Sequence, residues 1–201
     1  MRHGFLAATA ALVLLTACSD APGSSATTVS STIAATTTST TSTTSTTTTI
    51  APTTTTEVLP VPEAPPAPHA AEPKTMLGTI EIPKINVSKS LFEGVSLTTL
   101  NRGPGHWPGT AMPGHAGNVV IGGHRTSHDR PFRYIDKLLP GDEVVFTTSE
   151  GRFVYHVTGT KIVTPDSIWI IDQTPAYTAT LFACNPVGST KERIVVSLEL
   201  Q

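Results

Sequence analysis

Cysteine is scarce in this chain of 201 residues: only Cys18 and Cys184 occur. Two such distant thiols exclude the paired Cys spacing of a structural zinc site. A basic excess is also lacking. The whole chain has 13 Lys/Arg against 15 Asp/Glu, and 76–201 has 11 of each. A nucleic-acid partner would need a positive surplus to neutralise phosphates, so none is expected. Long apolar runs are missing too. About 18 consecutive apolar residues are needed to read a transmembrane helix, and the apolar stretch near the start is shorter. No Gly-rich phosphate loop stands between a strand and a helix. Finally, 19–74 lacks hydrophobic periodicity, and a segment without it cannot bury enough apolar surface to fold alone.

What is present begins with MRHGFLAATAALVLLTACSD. Arg2 supplies a positive n-region and 5–15 an apolar h-region, with small residues before Cys18, the pattern of a removed signal peptide over 1–17. Leu15-Thr16-Ala17-Cys18 resembles a lipobox, the bacterial lipoprotein signal. That resemblance implies diacylglyceryl on Cys18 and a lipid-anchored mature chain. The alternative is an ordinary secretory cleavage site that happens to carry a Cys. Two or three acyl chains hold a protein on a membrane stably. The next stretch, 18–74, collapses to Thr, Ser, Ala and Pro and is expected to be a disordered linker. Its Pro-rich end, VLPVPEAPPAPHAAEP, favours polyproline II structure, and the contour could exceed roughly 150 Å. His69 in it is expected to be solvated.

The segment 75–201 is the expected folded domain. Its signals are mainly β: 78–83, 85–92, 118–124, 142–148, 152–163, 168–171, 178–184 and 193–200, with a hairpin turn at Ser149-Glu150-Gly151. One short helix is expected near 131–139, with Pro131 in its first turn. Many short strands at even spacing point to a sandwich or a closed barrel. Period two then places Cys184. Ala179, Leu181 and Ala183 share one face of their strand, while Thr178, Thr180, Phe182 and Cys184 share the other. In the last strand Ile194, Val196, Leu198 and Leu200 form the apolar face, and Arg193 points away from it. If the two strands pair antiparallel, the Cys184 thiol and the Arg193 guanidinium are neighbours across the hairpin. A cation beside a thiol lowers its pKa from about 8.5 and favours the thiolate.

A thiolate nucleophile needs an acid or base partner, most often histidine. His156 alternates with Tyr155 and Val157 on a strand, and His106 and His115 fall in a Gly/Pro-rich segment. His124 ends the apolar strand NVVIGG, where two glycines allow close approach. A side chain at a strand end is well held for chemistry. A metal cluster from His106, His115, His124 and His128 is the competing reading. It is disfavoured by Gly122, Gly123 and Pro131, which oppose the helix that the His124/His128 spacing requires. No metal or cofactor is expected.

His124 in GNVVIGGHR, Cys184 in TLFAC and Arg193 in ERIVV together resemble the sortase signature. The surrounding IPKINV, GPGHWPGTAMPG, LPGDEV and TLFACNP extend the resemblance over nearly the whole domain. It is most similar to class E sortases, with class F nearby. The resemblance implies a closed eight-stranded β-barrel with one or two short helices, and His124, Cys184 and Arg193 as catalytic residues. It also implies a cysteine transpeptidase that cleaves an LPxTG- or LAxTG-like sorting signal on protein substrates. The acyl group then passes to an amine of the cell wall or a pilin. The expected location is the outer face of the cell membrane, lipid-anchored through Cys18 and reaching into the wall. Ala183 departs from the family's usual Thr or Ser before the nucleophile, which puts specificity in question. The lipid anchor departs from the usual transmembrane one. Rival readings are a degenerate sortase, a metal- or wall-binding module, or another thiol transpeptidase. An L,D-transpeptidase expects a Ser-x-Gly-Cys context absent here, and papain-like proteases place Cys before His.

Overall fold

Period-two alternation of apolar residues builds nearly all of the regular structure in the computed structural model, which describes residues 58–201. Eight strands form: β1 (Met76–Ile82), β2 (Val87–Glu93), β3 (Gly105–His106), β4 (Gly117–Gly122), β5 (Glu143–Thr148), β6 (Gly151–Val163), β7 (Tyr177–Asn185) and β8 (Glu192–Leu200). They close into a barrel in the order β1-β2-β3-β4-β7-β8-β6-β5. β5 returns to β1 through an antiparallel ladder. β2–β3 and β4–β7 are parallel pairs. Closure leaves no unpaired sheet edge, which an open sheet of short strands would expose. The expected closed eight-stranded barrel is what the chain forms.

The barrel interior is filled from alternate positions. Ile80 and Ile82 of β1, Val119 and Ile121 of β4, Leu181 of β7, and Val196 and Leu198 of β8 all lie in it. Fully burying each such side chain contributes roughly 1.5–3 kcal/mol. β4 is buried at all six positions, as expected of a strand covered on both sides. Its outward Val120 joins a second apolar cluster with Trp107, Ile170, Ile171 and Val195, against which Val95, Val163 and Phe182 pack. This outer cluster underlies the groove described below.

Several expected elements are corrected. Residues 168–171 are a 3₁₀ turn rather than a strand. Ile170 and Ile171 are buried side by side while Ile168 and Trp169 are exposed, a pattern that a period of two cannot produce. The helix expected at 131–139 shrinks to a 3₁₀ turn, Ile135–Lys137. A single helical turn, α1 (Leu97–Leu100), occurs instead where none was expected. β2 starts at Val87 rather than at 85, because Pro83–Ile85 makes a 3₁₀ turn that ends on Asn86 in the left-handed region, φ 54°. Asn is among the few non-glycine residues that enter that region readily.

The linker expectation also needs correction over 58–74. This stretch lies against the barrel as a strap with one turn at Pro68–His69: Glu63 N–H donates to the Pro108 carbonyl at 2.9 Å, and Leu97 N–H donates to the Pro68 carbonyl at 2.7 Å. A Pro-rich segment has no core of its own, but composition says nothing of surface supplied by another part of the chain. Here buried Trp107 supplies it, with its indole Nε1–H donating to the Glu63 carbonyl at 2.9 Å. A buried indole N–H needs such an acceptor. The expected signal peptide, Cys18 and the Thr-rich part of the linker lie outside the described residues. No helix among the described residues is long and apolar enough to cross a membrane.

Candidate active site

β7 and β8 set the thiol and the guanidinium by register alone. Ala183 pairs with Ile194, and Cys184 pairs with Arg193. Directly opposed residues in an antiparallel pair have Cβ atoms about 4.5–5.5 Å apart. Cys184 is a free, half-buried cysteine. Arg193 Nη1–H groups donate to the carbonyls of Thr190 and Glu192, both at 2.9 Å. This fixes the guanidinium on its own hairpin, and Nε and Nη2 have no hydrogen-bond partner among the described residues.

His124 reaches the same place from β4. That strand ends at Gly122, and Gly123 N–H donates to the Phe182 carbonyl at 3.1 Å, keeping the chain alongside β7 for one residue more. Both glycines are needed for the approach. A Cβ on Gly122 would meet the Phe182 ring at 2.8 Å, and one on Gly123 would meet the Phe132 ring at 2.5 Å. The imidazole Nε2–H donates to Asn101 Oδ1 at 2.8 Å. In the neutral tautomer this leaves Nδ1 as the basic nitrogen. Burial, and secondly the His128 ring beside it, hold His124 below its usual 6.5. The two rings stack with centroids 5.0 Å apart at 16°.

Cys184, His124 and Arg193 all line one groove of about 680 Å³. Its surface is largely apolar, with Trp107 and Phe182 tilted against each other at 5.9 Å between centroids. His128, and His69 of the segment before the barrel, line the same groove, whereas His106, His115 and His156 are engaged elsewhere. His106 is buried between Glu93, 2.8 Å from Nδ1, and the Ala111 carbonyl, 2.9 Å from Nε2. His115 bonds Glu150 at 2.6 Å on the surface, and His156 faces Glu143 at 3.9 Å. His128 alone of the set lies by His124. The four residues of the competing metal reading therefore do not converge.

Two residues of the site had no role in the sequence reading. Asn101 follows α1, its N–H closing the turn onto the Leu97 carbonyl at 3.0 Å. Nothing in a lone Asn within a polar loop marks it out. Arg125 was visible as the neighbour of His124, yet its burial was not. It is 5 % exposed and pairs with Asp136 at 2.7 Å. It also donates to Asn185 Oδ1, and Asn185 in turn donates to Glu192 at 2.8 Å. Thr126 adds a second tie, accepting from Gly188 N–H at 2.8 Å. The loop bearing His124 is thereby clamped to the hairpin bearing Cys184 and Arg193. Ala183 is settled as well: its methyl packs in the barrel core at 2 % exposure. The hydroxyl it lacks would have pointed inward.

A thiol, an imidazole and a guanidinium thus line one groove of a small closed barrel, the equipment of a cysteine-dependent acyl-transfer enzyme. A sortase domain model matches residues 80–201, and the chain belongs to the sortase family, whose members are cell-surface transpeptidases. Over 146 residues it is 36% identical to sortase SrtE1 of Streptomyces coelicolor, a match covering 65% of this chain and 42% of that protein. Over 123 residues it is 35% identical to sortase D of Bacillus subtilis, covering 59% of this chain and 61% of the other. The chain thus spans less than two thirds of either relative. The crystal structure of sortase E1 from Streptomyces coelicolor with a tripeptide in the active site superposes with TM-score 0.61 at 32% identity, covering 66% of this chain and 91% of that one.

Proposed function

We propose that this chain is a surface cysteine transpeptidase that cleaves an LPxTG- or LAxTG-like sorting signal between Thr and Gly and passes the acyl group to an amine of the cell wall or a pilin. The observation that carries the reading is the β7–β8 register, which opposes Cys184 to Arg193 in the groove that His124 also lines. The Cys184 thiolate attacks the threonyl carbonyl carbon, and the π electrons move to oxygen. Arg193 stabilises that oxyanion with its remaining N–H donors; it cannot act as a base, because guanidinium stays charged. As the C–N bond breaks, protonated His124 gives its proton to the leaving glycyl amine, leaving a thioester. The acceptor amine then attacks the thioester, losing a proton to His124, and the thiolate departs. Cys18 would tether the mature domain to the membrane through lipid, with the Thr-rich stretch as spacer.

The test incubates wild type and single variants with sorting peptides carrying a quencher pair, alone and with an amine acceptor, and traps the acyl-enzyme for mass spectrometry. Cys184→Ala and His124→Ala are expected to lose essentially all turnover. Arg193→Ala is expected to lose about 10²–10³-fold, the usual cost of removing an oxyanion donor. Undiminished cleavage by Cys184→Ala would remove the covalent mechanism.

A further inference from the structure

The proline-rich strap crosses the groove's border between an upstream anchor and a downstream group of ties, which includes the Leu97 N–H bond to the Pro68 carbonyl. Upstream is the Glu63 backbone, held by Pro108 and by the Trp107 indole. Downstream, the hydroxyl of buried Ser96 donates to the Glu72 carboxylate at 2.7 Å, and the N–H groups of Val95 and Ser96 reach that carboxylate at 3.3 and 3.1 Å. Between the anchors Pro65 and Pro66 line the same groove as Cys184. Proline has a fixed φ and no N–H, so Pro65 and Pro66 are stiff and need no ladder partner; a turn follows at Pro68–His69, closed by the Ala70 N–H donating to the Ala67 carbonyl at 2.9 Å. With the strap in place the groove still measures about 680 Å³, within the range of roughly 300–1,000 Å³ that accommodates small ligands. The strap therefore borders the space without filling it. Its anchors use a buried indole and a buried serine, which suits a fixed wall better than a swinging flap.

We propose that Pro65 and Pro66 are specificity-determining residues: a fixed apolar wall of the acyl-donor groove that grips an aliphatic side chain of an extended donor peptide against Trp107 and Phe182. This rests on the reading of the groove as the donor site given above. The wall rejects a charged residue at the same position, because proline rings and aromatic faces offer it no partner. Pro65→Gly/Pro66→Gly removes both rings and frees the backbone between the anchors. Glu72→Ala/Ser96→Ala instead leaves the rings and the Leu97–Pro68 backbone bond and removes the side-chain ties of the downstream anchor, so the two double variants perturb the wall independently.

Two readouts keep the wall separate from the chemistry. Binding of fluorescein-labelled Leu-Ala-Ala-Thr-Gly and of Glu-Ala-Ala-Thr-Gly is measured by anisotropy on the Cys184→Ala background, which needs no turnover. Cleavage and iodoacetamide alkylation are measured with Cys184 present, and a thermal melt checks that each variant folds. Both double variants are expected to weaken the Leu peptide at least about tenfold, the scale of an apolar pocket contact. The Leu-over-Glu preference should narrow with it, and alkylation of Cys184 should stay unchanged. Strap-dependent binding with no cleavage by wild type would keep the wall and remove the proposed activity. Cleavage with strap-independent binding would keep the activity and overturn the wall. Faster alkylation together with faster cleavage in the variants would also overturn it, making the strap a cover. Absence of binding to either form would overturn both.

Discussion

Replacing Arg125 tests whether the trio is held by the barrel or by one buried ion. Its guanidinium joins the His124 loop to the 3₁₀ turn through Asp136 and to the nucleophile hairpin through Asn185. Arg125→Met keeps the approximate length and removes the charge. The charged hydrogen bonds lost are worth about 1.5–3 kcal/mol each. Much of that is offset, because a buried guanidinium carries a desolvation cost that Met does not, and because Asp136 is half-exposed and can be rehydrated. A net loss of about 2 kcal/mol is expected. For a domain of this size each kcal/mol shifts Tm by about 3–5 °C, so Tm should fall by about 6–10 °C in a far-UV circular dichroism melt. Turnover should fall further than stability accounts for. A displacement of about 1 Å between reacting groups costs on the order of 10²-fold, so kcat measured well below the lowered Tm should drop by about that factor while KM moves little. Arg125→Lys keeps the charge but not the planar fork, and should recover Tm more than kcat. Loss of the expected stability with kcat within about twofold of wild type would show that the strands alone position the trio.

His124 titrates below its ordinary 6.5 because of burial and, secondly, of His128. Stability linked to it is fully present above pH 6.5 and is lost as pH falls from there through the lower folded midpoint, since over that window the unfolded chain binds the extra proton. Its NMR midpoint should lie under 6.5 and rise in His128→Ala, without reaching 6.5 because burial remains; an unmoved midpoint would dismiss the role of His128. Gly123→Ala places a methyl 2.5 Å from the Phe132 ring, and overpacking of this kind costs roughly 1–3 kcal/mol. A Gly123→Ala protein with unchanged Tm and kcat would mean that Phe132 can give way without moving His124.

Which parts of this site could be read from sequence follows from the range of each interaction. The Cys184–Arg193 pair was legible because a hairpin of two alternating strands converts sequence separation into geometry, and the observed register is the one that alternation implies. The face of Ala183 followed from the same period. The 168–171 turn was not legible: four apolar residues in a row satisfy a strand and a 3₁₀ turn alike, and only the neighbours Trp107 and Val120 decide between them. β3 is two residues long and sits in a run of Gly and Pro, so it exists only because β2 and β4 pair with it on either side. Asn101 and Arg125 act across 23 and 60 residues of chain, a distance over which no local pattern reports.

The strap shows the same limit at larger scale. Its composition excludes a core of its own, and that inference stands; what failed was the step from having no core to having no fixed structure. A segment without one can still be ordered when the rest of the fold presents unsatisfied groups of the right chemistry. Trp107, Leu97 and Ser96 present an indole N–H, a backbone N–H and a hydroxyl, and the strap answers with two carbonyls and a carboxylate. Proline is well suited to the part between, because it withdraws its own N–H from the account while leaving every carbonyl available.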